Sequence, residues 1–280
     1  MSRHQSAIKD LLTIQDYIRW TYSRFRRSDI FYGHGTDNPW DEAVQLVLGA
    51  LSLPLDLPKE HLDSRLTHDE KKRILKLVDR RINDREPLPY LLGEAWFMGL
   101  PFKVTKDTLI PRSPIMALIE NQFAPWLEQY PLSILDMCTG SGCLGIAAAL
   151  TFDEAEVDIT DVSDAALDVA LQNIAMHEVE DRVHAIHSDM FNALSGKQYD
   201  LIICNPPYGE RLGEQSSLVH LYHHLGQKLK EEFGGWRAAV FTGNPDLGKQ
   251  MGLRSNKQYQ LFNGAIKSRL LCFDIERGKR

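Results

Sequence analysis

The segment Ile134-Leu135-Asp136-Met137-Cys138-Thr139-Gly140-Ser141-Gly142 constrains the fold of this chain more than any other. An apolar strand runs straight into a glycine-rich turn, and an alanine-rich stretch up to Thr151 opens behind it. A strand that feeds a helix through glycines starts a βαβ unit and leaves room for a ligand at the turn. Glycine lets the backbone approach that ligand without an intervening Cβ. The first N–H groups of the helix offer positive potential to an anionic group.

The same rhythm continues downstream. Strands are expected at Ile134–Met137, Glu156–Asp161, Val183–His187, Tyr199–Cys204 and Trp236–Thr242, with helices at Gly142–Thr151 and Ser163–His177. Such alternation means a parallel sheet with helices on both faces. The end differs. Gln258–Phe262 and Lys267–Ile275 flank Asn263-Gly264 and read as an antiparallel hairpin. The expected fold class is α/β, a doubly wound sheet closed by a hairpin, the Rossmann-like form used by S-adenosylmethionine-dependent methyltransferases. A small helical N-terminal domain precedes it.

That first part, residues 1–90, carries helical periodicity. Ile8, Leu11, Leu12, Ile14, Ile18 and Tyr22 predict an amphipathic helix over 6–27. A loop, Tyr32-Gly33-His34-Gly35-Thr36-Asp37-Asn38-Pro39-Trp40, ends in a cap-like Asn-Pro, and a helix is expected over Asp41–Leu53. Thr67 with Glu70 forms a capping box for a helix to Asp84. Pro87 and Pro89 break the pattern, and a hairpin linker over 91–112 leads to a helix expected from Pro114 to Gln129. Residues 113–280 are the expected cofactor-binding domain.

Composition narrows the class. The 280 residues are 43% hydrophobic and 25% charged, as in an ordinary globular protein. The net charge of −6 argues against a broad nonspecific polyanion footprint. Arg24, Arg26 and Arg27, and Arg254, Lys257, Lys267 and Arg269, read as solvated faces. Cys138, Cys143, Cys204 and Cys272 form no CxxC pair, so no metal site is expected. Reduced core thiols, no apolar leader and no membrane-length apolar run point to a cytoplasmic protein without membrane partners.

Candidate site residues gather at strand ends. Asp136 stands just before the glycines, where an acid can hold the ammonium of a methionine moiety. Thr139, Gly140 and Gly142 line the turn. Gly140, Gly142 and Gly145 also spell GxGxxG, so a dinucleotide is the competing reading of this loop. Asp161 closes the second strand and suits two ribose hydroxyls, or more plainly the helix start at Ser163. Asp189, in His187-Ser188-Asp189-Met190, suits an adenine amino group or is a simple turn residue. Asn205-Pro206-Pro207-Tyr208 follows the fourth strand. Two prolines stiffen this loop. The Asn205 oxygen and the Pro206 carbonyl can accept the two N–H groups of a planar amino nitrogen, and Tyr208 can stack on it. Asn205, Pro206 and Tyr208 are the expected catalytic residues, and Asn205 also borders the cofactor.

These segments resemble the PrmB-type bacterial ribosomal-protein glutamine N5-methyltransferases, relatives of the HemK/PrmC release-factor enzymes. The likeness rests on residues 32–43, Pro111-Arg112-Ser113-Pro114-Ile115, residues 136–143 and the NPPY tetrad, and covers residues 1–208. It implies S-adenosylmethionine as cofactor, a helical substrate-recognition domain, and one glutamine of the third protein of the large ribosomal subunit as acceptor. After Tyr208, Gly209-Glu210-Arg211-Leu212-Gly213, Phe233-Gly234-Gly235-Trp236 and Phe262-Asn263-Gly264 resemble the ribosomal-RNA guanine-N2 methyltransferases of the RlmL type. That likeness implies guanine methylation in 23S ribosomal RNA as the alternative, with ribosomal RNA as partner. A cofactor-binding protein without turnover is the reading from another class.

Overall fold

In the computed structural model of the chain, residues 3–33, 35–189, 197–208, 215–263 and 266–276 are described. His34, Met190, residues 209–213 and Gly264 of the motifs above lie outside them. The chain divides into two compact units, Met1–Ala95 and Trp96–Arg280.

The first unit is helical: α1 (Arg3–Asp10), α2 (Ile14–Arg26), α3 (Pro39–Ala50), a 3-10 turn at Lys59–Asp63, α4 (His68–Asn83) and α5 (Leu88–Leu92). The single helix expected over 6–27 is two. Asp16 N donates to Thr13 Oγ1 at 3.1 Å, and Thr13 N donates to Asp16 Oδ2 at 3.0 Å. That capping box starts a new helix in the middle of the apolar pattern. Asn38 caps α3 through Trp40 N and Asp41 N, so α3 begins at Pro39 and ends at Ala50, earlier than expected at both ends. Thr67 and Glu70 cap α4 reciprocally. Pro87 and Pro89 do more than break a pattern. They stand at the start of α5, where a missing N–H costs nothing.

A hairpin of β1 (Glu94–Phe97) and β2 (Leu100–Lys103) turns at Met98 and Gly99, both at positive φ. The helix expected over 114–129 is reduced to α6 (Met116–Glu120). Gln122 and Phe123 take left-handed backbone, and Pro125 has no N–H to continue a helix. Phe123 and Trp126 are buried all the same, so their apolar spacing serves turns.

The large sheet follows: β3 (Ser133–Met137), α7 (Cys143–Thr151), β4 (Glu156–Asp161), α8 (Asp164–Met176), β5 (Val183–His187), β6 (Leu201–Cys204), α9 (Gln215–Glu232), β7 (Arg237–Thr242), α10 (Pro245–Gln250), β8 (Lys257–Asn263) and β9 (Ile266–Asp274). The strand order is β5-β4-β3-β6-β7-β9-β8, and β9 alone runs against the others. Side chains alternate across it. Leu201 and Ile203 pack with Leu144, Ile146 and Ile174 on one face. Ile202 and Cys204 pack with Leu218, Tyr222, Leu225 and Leu229 on the other. Those last four residues are the buried stripe of α9, which holds the second face closed. Strand order reverses between β3 and β6, and a crevice opens there beyond the carboxyl ends.

One buried charge pair stands out in the first unit. Glu42 and Arg81 are each about 2% exposed and bridge α3 to α4 at 2.5 Å. Arg81 Nη2 also donates to the Phe31 carbonyl at 2.7 Å, and Thr36 Oγ1 to Glu42 Oε2 at 3.3 Å. The pair thereby anchors both ends of the glycine-containing loop to the helices. Removing one partner of a buried pair leaves the other charge desolvated and alone. Arg81→Ala is expected to lower stability by about 3–5 kcal/mol, read as a shift of the urea unfolding midpoint. A midpoint equal to that of the parent chain would contradict this account.

Candidate active site

Two loops leave neighbouring strands at one level, because Met137 of β3 pairs with Cys204 of β6. Cys138 begins the glycine loop and Asn205 the NPPY loop.

The glycine loop turns sharply. Cys138 lies at φ 61 and Gly142, the cap of α7, at φ 82. Thr139 N donates to the Thr160 carbonyl at 2.9 Å, which fixes the turn against β4. Gly145 carries the close approach of α7 to the sheet, since a Cβ there would collide with Ile159 Cγ2.

Asp136 is fully buried beneath this loop. Its Oδ2 accepts from Thr139 Oγ1 at 2.5 Å and from Gly145 N at 2.9 Å. Its Oδ1 is buried with no partner among the described residues. Burial pushes the carboxyl up to about 7, against the bonds from Thr139 and Gly145 and with some help from the Asp161 charge. An orphaned carboxylate oxygen beside a helix start is the donor-seeking group that a ligand ammonium satisfies. The residues present therefore fit the methionine end of S-adenosylmethionine.

Asp161 ends β4, half-buried. Its Oδ2 accepts from Gly140 N at 2.9 Å and its Oδ1 from Ser163 N at 3.0 Å. The helix-start role is thus observed, and each oxygen keeps acceptor capacity for a ligand hydroxyl. Asp189 lies just past β5, half-buried, with its carbonyl accepting from Ser188 Oγ at 2.9 Å. The order β3, β4, β5 sets Asp136, Asp161 and Asp189 at the ends of three adjacent strands.

Asn173 escaped the sequence reading. It is fully buried on α8 and donates from Nδ2 to the carbonyls of Ser141 (2.8 Å) and Lys103 (3.0 Å), while Oδ1 accepts from Lys103 N at 2.7 Å. It ties the glycine loop to β2. The signal was an asparagine on the apolar side of the Ser163–His177 helix, at helical spacing from Ala166 and Ala170.

In the second loop, Pro206 is buried and the Asn205 Oδ1 atom is buried without a partner among the described residues. The Tyr208 ring meets Phe241 edge-on at 5.6 Å, and its hydroxyl oxygen accepts from Asn263 Nδ2 at 2.8 Å. Burial raises the phenol pKa in spite of the Asn263 bond, so Tyr208 is neutral. The buried Cys204 and Cys143 thiols are held in the protonated form. A hydrogen bond with Cys138, together with burial, raises Cys204 well above its usual value, and burial pushes Cys143 up to about 12. Among the described residues no cluster of three metal-ligating side chains occurs, and no helix is long and apolar enough to cross a membrane.

The site therefore presents two buried, unpartnered oxygen acceptors on neighbouring strand ends. One belongs to a carboxyl group and suits a cation. The other belongs to a carboxamide and suits an N–H.

Known proteins resemble the chain over most of its length. Residues 126–271 match the family model of the RMKL-like methyltransferase domain. The ribosomal protein uL3 glutamine methyltransferase of Francisella tularensis is 42% identical over 266 residues, which is 94% of this chain and 82% of that protein. The enzyme of the same name from Bordetella pertussis is 45% identical over 219 residues, 77% of this chain and 73% of that one. The Francisella match necessarily runs past Tyr208, and the RMKL-like match begins well before it, so the two likenesses overlap. Among solved structures, SMU.472 complexed with SAH superposes with a TM-score of 0.52 at 18% identity, covering 76% of this chain and 72% of that one. TrmN from Thermus thermophilus gives 0.51 at 19% identity, covering 82% and 77%. Gly140, Gly142 and Gly145 are accordingly the glycines of a methyltransferase loop and not of a dinucleotide enzyme. The chain belongs to the family of ribosomal protein uL3 glutamine methyltransferases.

Proposed function

We propose that this chain transfers a methyl group from S-adenosylmethionine to the side-chain nitrogen of one glutamine in ribosomal protein uL3. The observation that carries the reading is the pair of orphaned acceptors, Asp136 Oδ1 and Asn205 Oδ1, at the carboxyl ends of the paired strands β3 and β6, where strand order reverses. Asp136 and the start of α7 hold the methionine end of the cofactor. Asp161 takes the ribose hydroxyls and Asp189 the adenine amino group, with Thr139, Gly140 and Gly142 lining the turn between them. When bound, the cofactor supplies an electrophilic methyl group on a sulfonium.

The acceptor presents the harder problem. A carboxamide nitrogen has its lone pair delocalised into the carbonyl. Asn205 Oδ1 accepts one of its N–H groups and the Pro206 carbonyl the other, which fixes the nitrogen and turns its electron density toward the methyl group. Tyr208 flanks the planar amide. No strong base is needed first, because the proton leaves readily once the nitrogen is alkylated. Positioning and charge stabilisation supply most of the rate.

Two N–H groups on a planar nitrogen also describe guanine, and the RMKL-like match is the observation on that side. It leaves residues 1–125 uncovered, whereas the Francisella uL3 enzyme aligns with 94% of the chain. The helical unit is therefore assigned to recognition of the protein substrate. On ribosomal subunits undermodified at both sites, labelled methyl should enter uL3, and a chain starting at Trp96 should bind cofactor but lose that transfer. Label in RNA would overturn the choice of acceptor.

Two further outcomes test the site itself. With its carboxyl near 7, Asp136 is increasingly protonated as pH falls below that value, and a protonated acid gives the ligand ammonium no counter-charge. Cofactor affinity should fall about tenfold per pH unit below 7, and Asp136→Asn should bind weakly with that dependence abolished. Calorimetry showing a flat parent profile between pH 5.5 and 8 would contradict the role. Asn205→Ala should cut kcat by roughly 10²–10³, the scale of one oriented hydrogen-bonding group lost from an active site, with cofactor affinity unchanged. A loss explained wholly by weaker cofactor binding would reduce the loop to a structural turn.

A further inference from the structure

Tyr208 poses a question that the NPPY loop does not answer by itself. The two prolines fix the backbone before it but leave its side-chain torsions open. A ring meant to lie against a planar amide must keep one orientation. From the sheet side, the Tyr208 ring is bounded by Phe241, edge-on at 5.6 Å, and by Gly243, where a Cβ would come within 2.5 Å of Tyr208 Cε2. Both limit the body of the ring. Its polar end meets Asn263, whose Nδ2 donates to the hydroxyl oxygen at 2.8 Å.

Asn263 is itself well placed for the task. It is the last residue of β8 and pairs with Ile266 of β9. β9 is held to β7 through Thr242 and Arg269. A continuous run of strand pairing therefore connects the asparagine to the strand whose end carries Phe241 and Gly243. Phe262, just before it on β8, is 61% exposed, while Asn263 is half-buried against Tyr208. The Asn263 Oδ1 atom is buried with no partner among the described residues. A side chain kept for packing alone would not hold a polar atom buried and unpaired.

We infer that Asn263 is a positioning residue of the acceptor site: it fixes the Tyr208 ring through its hydroxyl, so that the acceptor nitrogen meets a preorganised surface. This rests on the assignment of Tyr208 to the acceptor site. The bond removes a rotor whose ordering would otherwise oppose substrate binding. It also leaves the Tyr208 proton free, since the hydroxyl oxygen is the acceptor in the contact.

The test uses the full chain with uL3 as methyl acceptor. Asn263→Ala should lower kcat/KM for uL3 about tenfold, the scale of one hydrogen bond, with the dissociation constant for S-adenosylmethionine changed less than twofold. In a Tyr208→Phe background the same substitution should have no further effect, because the hydroxyl it acted on is gone. A bond that merely secured the hairpin would move the melting temperature and leave the acceptor kinetics alone. Full kcat/KM in Asn263→Ala, or an equal loss with and without the Tyr208 hydroxyl, overturns the inference. Tyr208→Ala separates it from the reading beneath it. If that variant is impaired while Asn263→Ala is normal, only the positioning role fails. If both are normal, Tyr208 has no place in the acceptor site.

Discussion

The parallel pairing of β3 with β6 is the constraint on which the rest of the second unit depends. It occurs where strand order reverses, so helices leave these two strands toward opposite faces and their carboxyl ends stay uncovered. Along the strands, polar groups would be costly: Ile134, Leu135, Leu201, Ile202 and Ile203 are fully buried between two apolar layers. Only at the ends does the chain carry groups that seek a ligand. Met137 opposite Cys204 then sets the level at which both loops begin. A shift of this register by one residue would exchange the faces of β6 and carry Asn205 away from the level of the glycine loop.

The two acceptors at these strand ends differ in charge. Asp136 is already raised by burial and by the neighbouring Asp161 charge. A second carboxylate at position 205 would add a further negative charge at the same end of the sheet. A carboxamide at 205 avoids this. It offers the acceptor oxygen that an N–H needs without disturbing the ionisation that an ammonium needs. In the proposed reaction, position 136 would turn a charge to the cofactor and position 205 an uncharged oxygen to a nitrogen that must remain nucleophilic.

Most of the second unit was legible because its signals are local. Glu156–Asp161 and Val183–His187 are the strands expected from their apolar runs. The caps at Thr67 and Ser163 place α4 and α8 within a residue. What was not legible depends on competition or on distance. The capping box of Thr13 and Asp16 outweighs amphipathic periodicity over residues 6–27, and the two signals overlap in the sequence. The apolar residues of 114–129 fit a helix as well as they fit the turns in which Phe123 and Trp126 are buried. α9 has its stripe of Leu218, Tyr222, Leu225 and Leu229 interleaved with histidines and lysines, which mask the period. At the site, the acids and NPPY could be named from strand-end positions. Asn173 and Asn263 were not, because each acts on a residue at least 32 positions away; only the place of Asn173 on the apolar side of its helix hinted at it.

The overlap of two family likenesses has a physical reading. In the proposed site, Asn205 and Pro206 would offer the same two oxygen acceptors to any planar amino nitrogen, so the tetrad would carry almost no discrimination between an amide and a guanine. Selectivity has to be built from contacts outside it. The RMKL-like match spans most of the large sheet together with the glycine and NPPY loops. The helical unit lies outside that match and has an independent core around Tyr17, Leu46, Ile74 and Val78. Its buried Glu42–Arg81 pair fixes a loop that carries two glycines at positive φ, Gly33 and Gly35. A buried ion pair adds little net stability over an apolar pair, and its best-attested use is to specify one arrangement among several. Here the arrangement it specifies is that of the loop between α2 and α3 in the helical unit.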